Sequence, residues 1–267
     1  MSMSKDHGLP GFNPLQDVPP QDSKLVSSPL EMVVTQLRFA PVPKMDEQAF
    51  IANFQDRLRK NYPLFAMEHP NLQLALPGMN GGEVTAFSVF WRMLSIESKW
   101  RVSLTRDFLA LETVAYGGRE DFLLRWTEIL EAFNASFENI TATRFGLRYL
   151  NRIKGEELQR LPTLVQREAL GIVTSLGTPD VAITDVLYPV PEGKIHARWG
   201  HLPAGTTHDP SFLACAEANW ILDMDLSIER VPLDMAEIGD LAKRFSERAY
   251  GFFHWMMTDQ FRTERGA

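Results

Sequence analysis

Three arginines, Arg144, Arg148 and Arg152, recur at four-residue steps in the run Ile140–Lys154, ITATRFGLRYLNRIK. A strand turns successive side chains to opposite faces, so Arg144, Gly146, Arg148, Leu150 and Arg152 share one face and Gly146 leaves room between two guanidinium groups. Arginine forks match carboxylate and phosphate in shape and charge. Such a face either takes an anionic small molecule or pairs with acidic side chains of a neighbouring strand. Candidate partners stand in Trp220–Leu226, WILDMDL, where Asp223 and Asp225 lie opposite Leu222, Met224 and Leu226. A D-x-D pair can hold a divalent metal, but usually from a loop at a strand end. Within a strand, pairing with the arginines is the more economical reading. A buried network of this kind is costly unless every member is paired.

Three of the six histidines cluster in Lys194–Pro210, KIHARWGHLPAGTTHDP. Gly200 and Pro203 break any helix there, so a metal site would need a loop to gather His201, His208 and Asp209. Solvated turn residues are the plainer alternative. Cys215 lies in the apolar run FLACA, which suits a buried small side chain better than a nucleophile. The last helical stretch, YGFFHWMM from Tyr250, is apolar nearly all round. Either it lies between two layers of the chain, or Phe245, Phe252, Trp255 and Met256 anchor an interface with a partner.

The elements that must position these groups follow from hydrophobic periodicity. Lys99–Thr113, KWRVSLTRDFLALET, alternates, breaks at Arg106-Asp107 and alternates again, which predicts a tight hairpin. Leu30–Ala40 and Val84–Leu94 are further strands, with Pro70–Gly82 a loop between them. Helices are expected from an Asp46 cap to Lys60 and over Arg119–Phe137, with a short helical stretch around Leu164–Val173. Beyond the loop at Gly171–Pro179, strands near 181–189, 194–202 and 219–230 precede a long helix from Asp234 to about Arg262. Asp234 and Glu237 have the spacing of a capping box. The fold class is therefore α+β: antiparallel sheets in two halves backed by amphipathic helices, with a long C-terminal helix. The division is a mobile Pro-rich N-terminal arm over 1–28, a first half over 29–172 and a second over 173–267.

With 267 residues the chain can bury a substantial core. Its net charge of −7 argues against general nucleic-acid or anionic-membrane binding, which needs a basic surface. One cysteine excludes an intrachain disulfide and fits a reducing compartment, and no apolar run has bilayer length, so the cytoplasm is the expected location.

The blocks PLEMVVTQLRF, VSLTRDFLALET, RFGLRYLNRI, ILDMD and FFHWMMTDQFR, in this order over residues 29–263, resemble an uncharacterised full-length family distributed sporadically among bacteria and archaea. The resemblance implies the same α+β fold and an accessory role carried with defence or biosynthetic gene cassettes. It implies no catalytic residue and no cofactor. Gly118 stands where that family carries Trp.

The expected function is a non-enzymatic binding protein that recognises another protein or a peptide and self-associates, with a SecB-like chaperone as one version. The alternative is an enzyme or sensor that binds an anionic small molecule at the Arg/Asp face.

Overall fold

A computed structural model describes residues 11–20, 25–68 and 89–266. The loop expected at 70–82, the start of the strand expected at 84–94 and part of the N-terminal arm lie outside these residues.

The chain is α+β. Its strands are β1 (Leu30–Phe39), β2 (Leu64–Glu68), β3 (Phe90–Leu94), β4 (Trp100–Leu104), β5 (Phe108–Thr113), β6 (Ala142–Lys154), β7 (Ala182–Val190), β8 (Gly193–Leu202) and β9 (Asn219–Leu233). These join in one antiparallel sheet of order β2-β3-β4-β5-β1-β6-β9-β8-β7. The longer helices are α1 (Gln48–Leu58) and α2 (Arg119–Ser136). Four single turns follow, α3 (Glu156–Gln159), α4 (Leu161–Leu164), α5 (Arg167–Leu170) and α6 (Val173–Leu176), and then α7 (Ile238–Met256) and α8 (Asp259–Glu264).

The order repeats one path on each side of the β1–β6 seam, with five described strands on one side and four on the other. Each half starts with a strand at the middle of the sheet (β1, β6), crosses to an outer edge, returns as a meander, and ends in a helix (α2, α7). These units divide between α2 and β6; since β6 precedes residue 172, the two halves expected on either side of that residue meet along β6 and β9 in a single sheet. One hydrophobic cluster runs through both, from Val33 and Trp126 to Phe245 and Met256.

Local chemistry explains most boundaries. In the β4–β5 hairpin the Thr105 hydroxyl accepts from the backbone N–H of Phe108 at 3.1 Å and donates to Asp107 at 2.8 Å, which closes the turn. The helix expected to start at an Asp46 cap starts later. Asp46 ends a 3-10 turn (Pro43–Asp46) whose Met45 carbonyl accepts from Trp91 Nε1 at 2.7 Å, and α1 begins at Gln48 without a side-chain cap. The helix expected from 234 to 262 is divided. Asp234 caps a short 3-10 turn, but Glu237 turns to Arg230 instead of completing a capping box. Met257 leaves helical geometry to bridge Val165, and Thr258 caps α8 by accepting from Phe261 N–H.

All the long helices pack on one face of the sheet. Phe145 of β6 stacks on Trp126 of α2 at 6.1 Å and on Phe245 of α7 at 5.6 Å. Leu37, Leu147, Ile195 and Leu226 are buried beneath them. The apolar circumference of α7 now has its reason. One side meets the sheet, and residues of the N-terminal arm lie on the other, with Pro19 and Phe12 close against Gly251.

Candidate functional site

The opposite face of the sheet carries no long helix among the described residues, and alternation delivers the charged residues to it. Register places Arg148 opposite Asp225, Asp225 opposite His196, and Asp223 opposite Arg198. The hydrogen bonds then run diagonally. Arg148 Nε donates to Asp223 Oδ1 and its Nη2 to Asp223 Oδ2, both at 2.7 Å, while Nη2 also reaches Asp209 at 2.7 Å. Arg198 donates to the same two carboxylates, at 2.9 Å to Asp223 and 3.1 Å to Asp209. His208 Nε2 lies 2.9 Å from Asp223 Oδ2. Phe212 covers the group, with the Arg148 guanidinium 4.3 Å from its ring centroid and His208 stacked on it at 5.7 Å. Asp209 and Phe212 come from the loop between β8 and β9, which folds back over this end of the face. Phe212 is held there by Leu150, Leu202 and Ile221.

Two guanidinium groups and two carboxylates thus close a charge-balanced set. Burial alone would raise the Asp223 carboxyl, but the hydrogen bonds from Arg148 and His208 outweigh it and hold the group below the usual carboxylate range. Asp209 is likewise held low against burial, by the Ser211 backbone N–H and by Arg148. Burial also opposes the charge on Arg148, and its bonds to Asp223 and Asp209 more than restore it. Asp225, two residues along the same strand, shifts the other way. Burial pushes its carboxyl up, against the attraction of Arg144 and Arg148, and its hydrogen bond from Arg144 is long at 3.4 Å.

The other residues singled out from the sequence are dispersed. Arg144 folds over Gly146 and divides its charge between Asp225 and Glu229. Arg152 belongs to a different group, with its Nε 3.2 Å from Glu31. His201, His208 and Asp209 do not gather as a metal site. His201 is an odd-numbered residue of β8, opposite Trp220, and so lies on the helix-bearing face, whereas His208 and Asp209 serve the arginines on the other. Burial lowers the His201 pKa and favours a neutral ring. Of the four candidate interface anchors, Trp255 is half-buried. Phe245, Phe252 and Met256 are buried within the chain, where Phe252 meets Trp199 at 6.3 Å and Trp255 at 5.9 Å. No helix among the described residues is long and apolar enough to cross a membrane.

Arg198 and His208 complete the network and were not assigned to it from sequence. Arg198 had a legible signal, since it occupies the same parity of β8 as His196. His208 had none, because its placement depends on a loop.

Comparison of the sequence with protein-family models and with curated proteins finds no match.

Proposed function

We propose that this chain is a non-enzymatic binding protein that recognises an extended segment of another polypeptide along the free edge of its sheet at β7. The observation that carries the reading is the edge itself. β7 is nine residues long, pairs with β8 on one side, and pairs with no other described strand. It presents Ile183, Leu187 and Tyr188 to solvent, with Leu187 61% exposed. A long apolar edge offers unpaired backbone groups and alternating side-chain contacts, as strand addition requires.

The parity of the edge can be read. Ala182 turns its carbonyl toward β8, close against Gly200. In an antiparallel pair the backbone groups alternate sides, so Ile183, Asp185 and Leu187 direct theirs outward. Pro189 has the same parity, where its missing N–H costs no ladder bond.

The same edge suits an accessory factor or a SecB-like holder of extended chains. A second copy of the chain could also pair there, and a cytoplasmic setting fits the single Cys215. An anionic ligand at Arg144, Arg148 and Arg152 has less support, since each guanidinium already faces a carboxylate.

Selection from a random peptide library on untagged protein is expected to enrich alternating apolar sequences. Leu187→Pro removes an outward N–H without breaking the β7–β8 ladder, and should abolish their binding while leaving the fold. Enriched peptides that bind Leu187→Pro unchanged would defeat the proposal.

A further inference from the structure

On the helix-bearing face, a cavity of about 540 Å³ lies between β6, β9, the start of α2 and the middle of α7. We infer that it is a binding site for a flat heteroaromatic molecule, neutral or cationic, that directs an N–H donor to Asn151. The site is separate from the β7 edge and does not depend on the reading of that edge.

The volume falls within the range of small-molecule pockets, roughly 300–1,000 Å³. Its walls are aromatic. Tyr116 and Tyr149 meet edge to face at 6.0 Å, at 84° to one another, and so form two perpendicular sides. Tyr250 and Phe253 of α7 line it as well, and Met224 of β9 adds a polarisable thioether. Flat rings gain from stacking on such walls and from contact with sulfur.

Asn151 supplies the specific polar contact. It lies on the helix-bearing face of β6, lines the cavity, and is only 4% exposed. Its Nδ2 donates to the Leu222 carbonyl at 3.3 Å, which fixes the carboxamide. Its Oδ1 accepts no hydrogen bond from any described residue. Because Asn151 lines the cavity, a ligand N–H can reach this acceptor there.

Charge decides the ligand class further. Among the described residues, the charged side chains that line the cavity are Arg119, Glu120 and Asp121, one positive and two negative. Arg119 also donates to the Ser246 carbonyl at 3.3 Å and lies 5.8 Å from the Tyr250 ring centroid. The balance disfavours an anion and accepts a neutral base or an ammonium group beside the tyrosines.

The test is calorimetric titration and thermal melting of the full chain with adenosine, tryptamine and AMP. Adenosine or tryptamine should bind one to one with a Kd below about 1 mM and raise Tm. AMP should bind at least about tenfold more weakly than adenosine, from the charge balance. Asn151→Leu should weaken the binding about tenfold or more, by removing the acceptor. Ala249→Phe, which projects a ring into the cavity from α7, should abolish it, and its own melt reports whether the fold is kept. The inference is overturned if neither adenosine nor tryptamine binds, if AMP binds best, or if binding is unchanged in either folded variant.

Discussion

Arg148 and Asp223 face each other fork to fork, with two hydrogen bonds of 2.7 Å, although neither is the other's register partner. Arg148 sits opposite Asp225 and Asp223 opposite Leu150. The diagonal leaves Asp223 within reach of Arg198 and His208 as well. Removing one member of a buried ion pair leaves a charge without compensation, at a cost of about 3–5 kcal/mol. Arg148→Ala should therefore lower stability in urea by an amount of that order. Arg148→Met with Asp223→Leu keeps the remaining Arg198–Asp209 pair balanced, so the double variant should lose less than the sum of the singles. Additive losses in the cycle would mean that the pair is not coupled.

The two aspartates of β9 predict opposite responses to pH. Asp223 and Asp209 are held below the ordinary carboxylate range in the folded state. Their stabilisation is complete above the unfolded value of about 3.9 and is lost as pH falls toward their folded values. Asp225 is raised by burial, so its ionisation opposes folding once pH exceeds its unfolded value. Asp225→Asn should raise Tm at pH 7 and leave it unchanged at pH 3. Asp223→Asn should lower Tm at pH 7, with the difference shrinking in acid. Thermal melts across this range check both.

Alternation made much of this legible. The parity of Ile140–Lys154 and Trp220–Leu226 placed Arg148 and Asp223 on one face, and the β4–β5 hairpin followed from its pattern and its break. Parity cannot choose between direct and diagonal partners, which depend on side-chain reach across strands. Loop contacts were hidden for a different reason: Asp209 reaches Arg148 through a fold-back with no periodicity. β2 was missed because its five residues follow Pro63 and expose most of their side chains. For the α7 aromatics, composition alone could not separate a helix between two layers from one at an interface.

Gly200 of β8 is a sharper test of the sheet edge. Its φ of +145° is one that side-chain-bearing residues rarely adopt, and an added Cβ would fall 1.8 Å from the Ala182 carbonyl oxygen. That oxygen is backbone and cannot swing away, so Gly200→Ala must push β7 from β8. Gly146→Ala is the contrast, since its Cβ would meet the mobile end of Arg144 at 2.8 Å. Gly200→Ala should cost about 2 kcal/mol or more and loosen β7 amides in hydrogen exchange, against less than about 1 kcal/mol for Gly146→Ala.

Arg248 ties the N-terminal arm to the body. It is 2% exposed at the centre of α7, and donates Nε and Nη2 to the Glu192 carboxylate at 3.0 and 2.9 Å. Its Nη1 donates to the carbonyls of Pro14 and Asp17 at 2.9 and 2.7 Å. One planar group thus serves a hairpin on one side and a chain turn on the other. A lysine can keep the charge but cannot hold both sets in that fixed geometry. Arg248→Lys should cost about 2 kcal/mol, the worth of one or two charged hydrogen bonds. It should also speed exchange of the Gln16 and Asp17 amides, which bond back to Asn13. Deleting residues 1–20 removes the same two carbonyl acceptors, so its cost should overlap with that of Arg248→Lys. Urea denaturation of the two variants and their combination measures the overlap. Full additivity would show that Arg248 and the arm act independently.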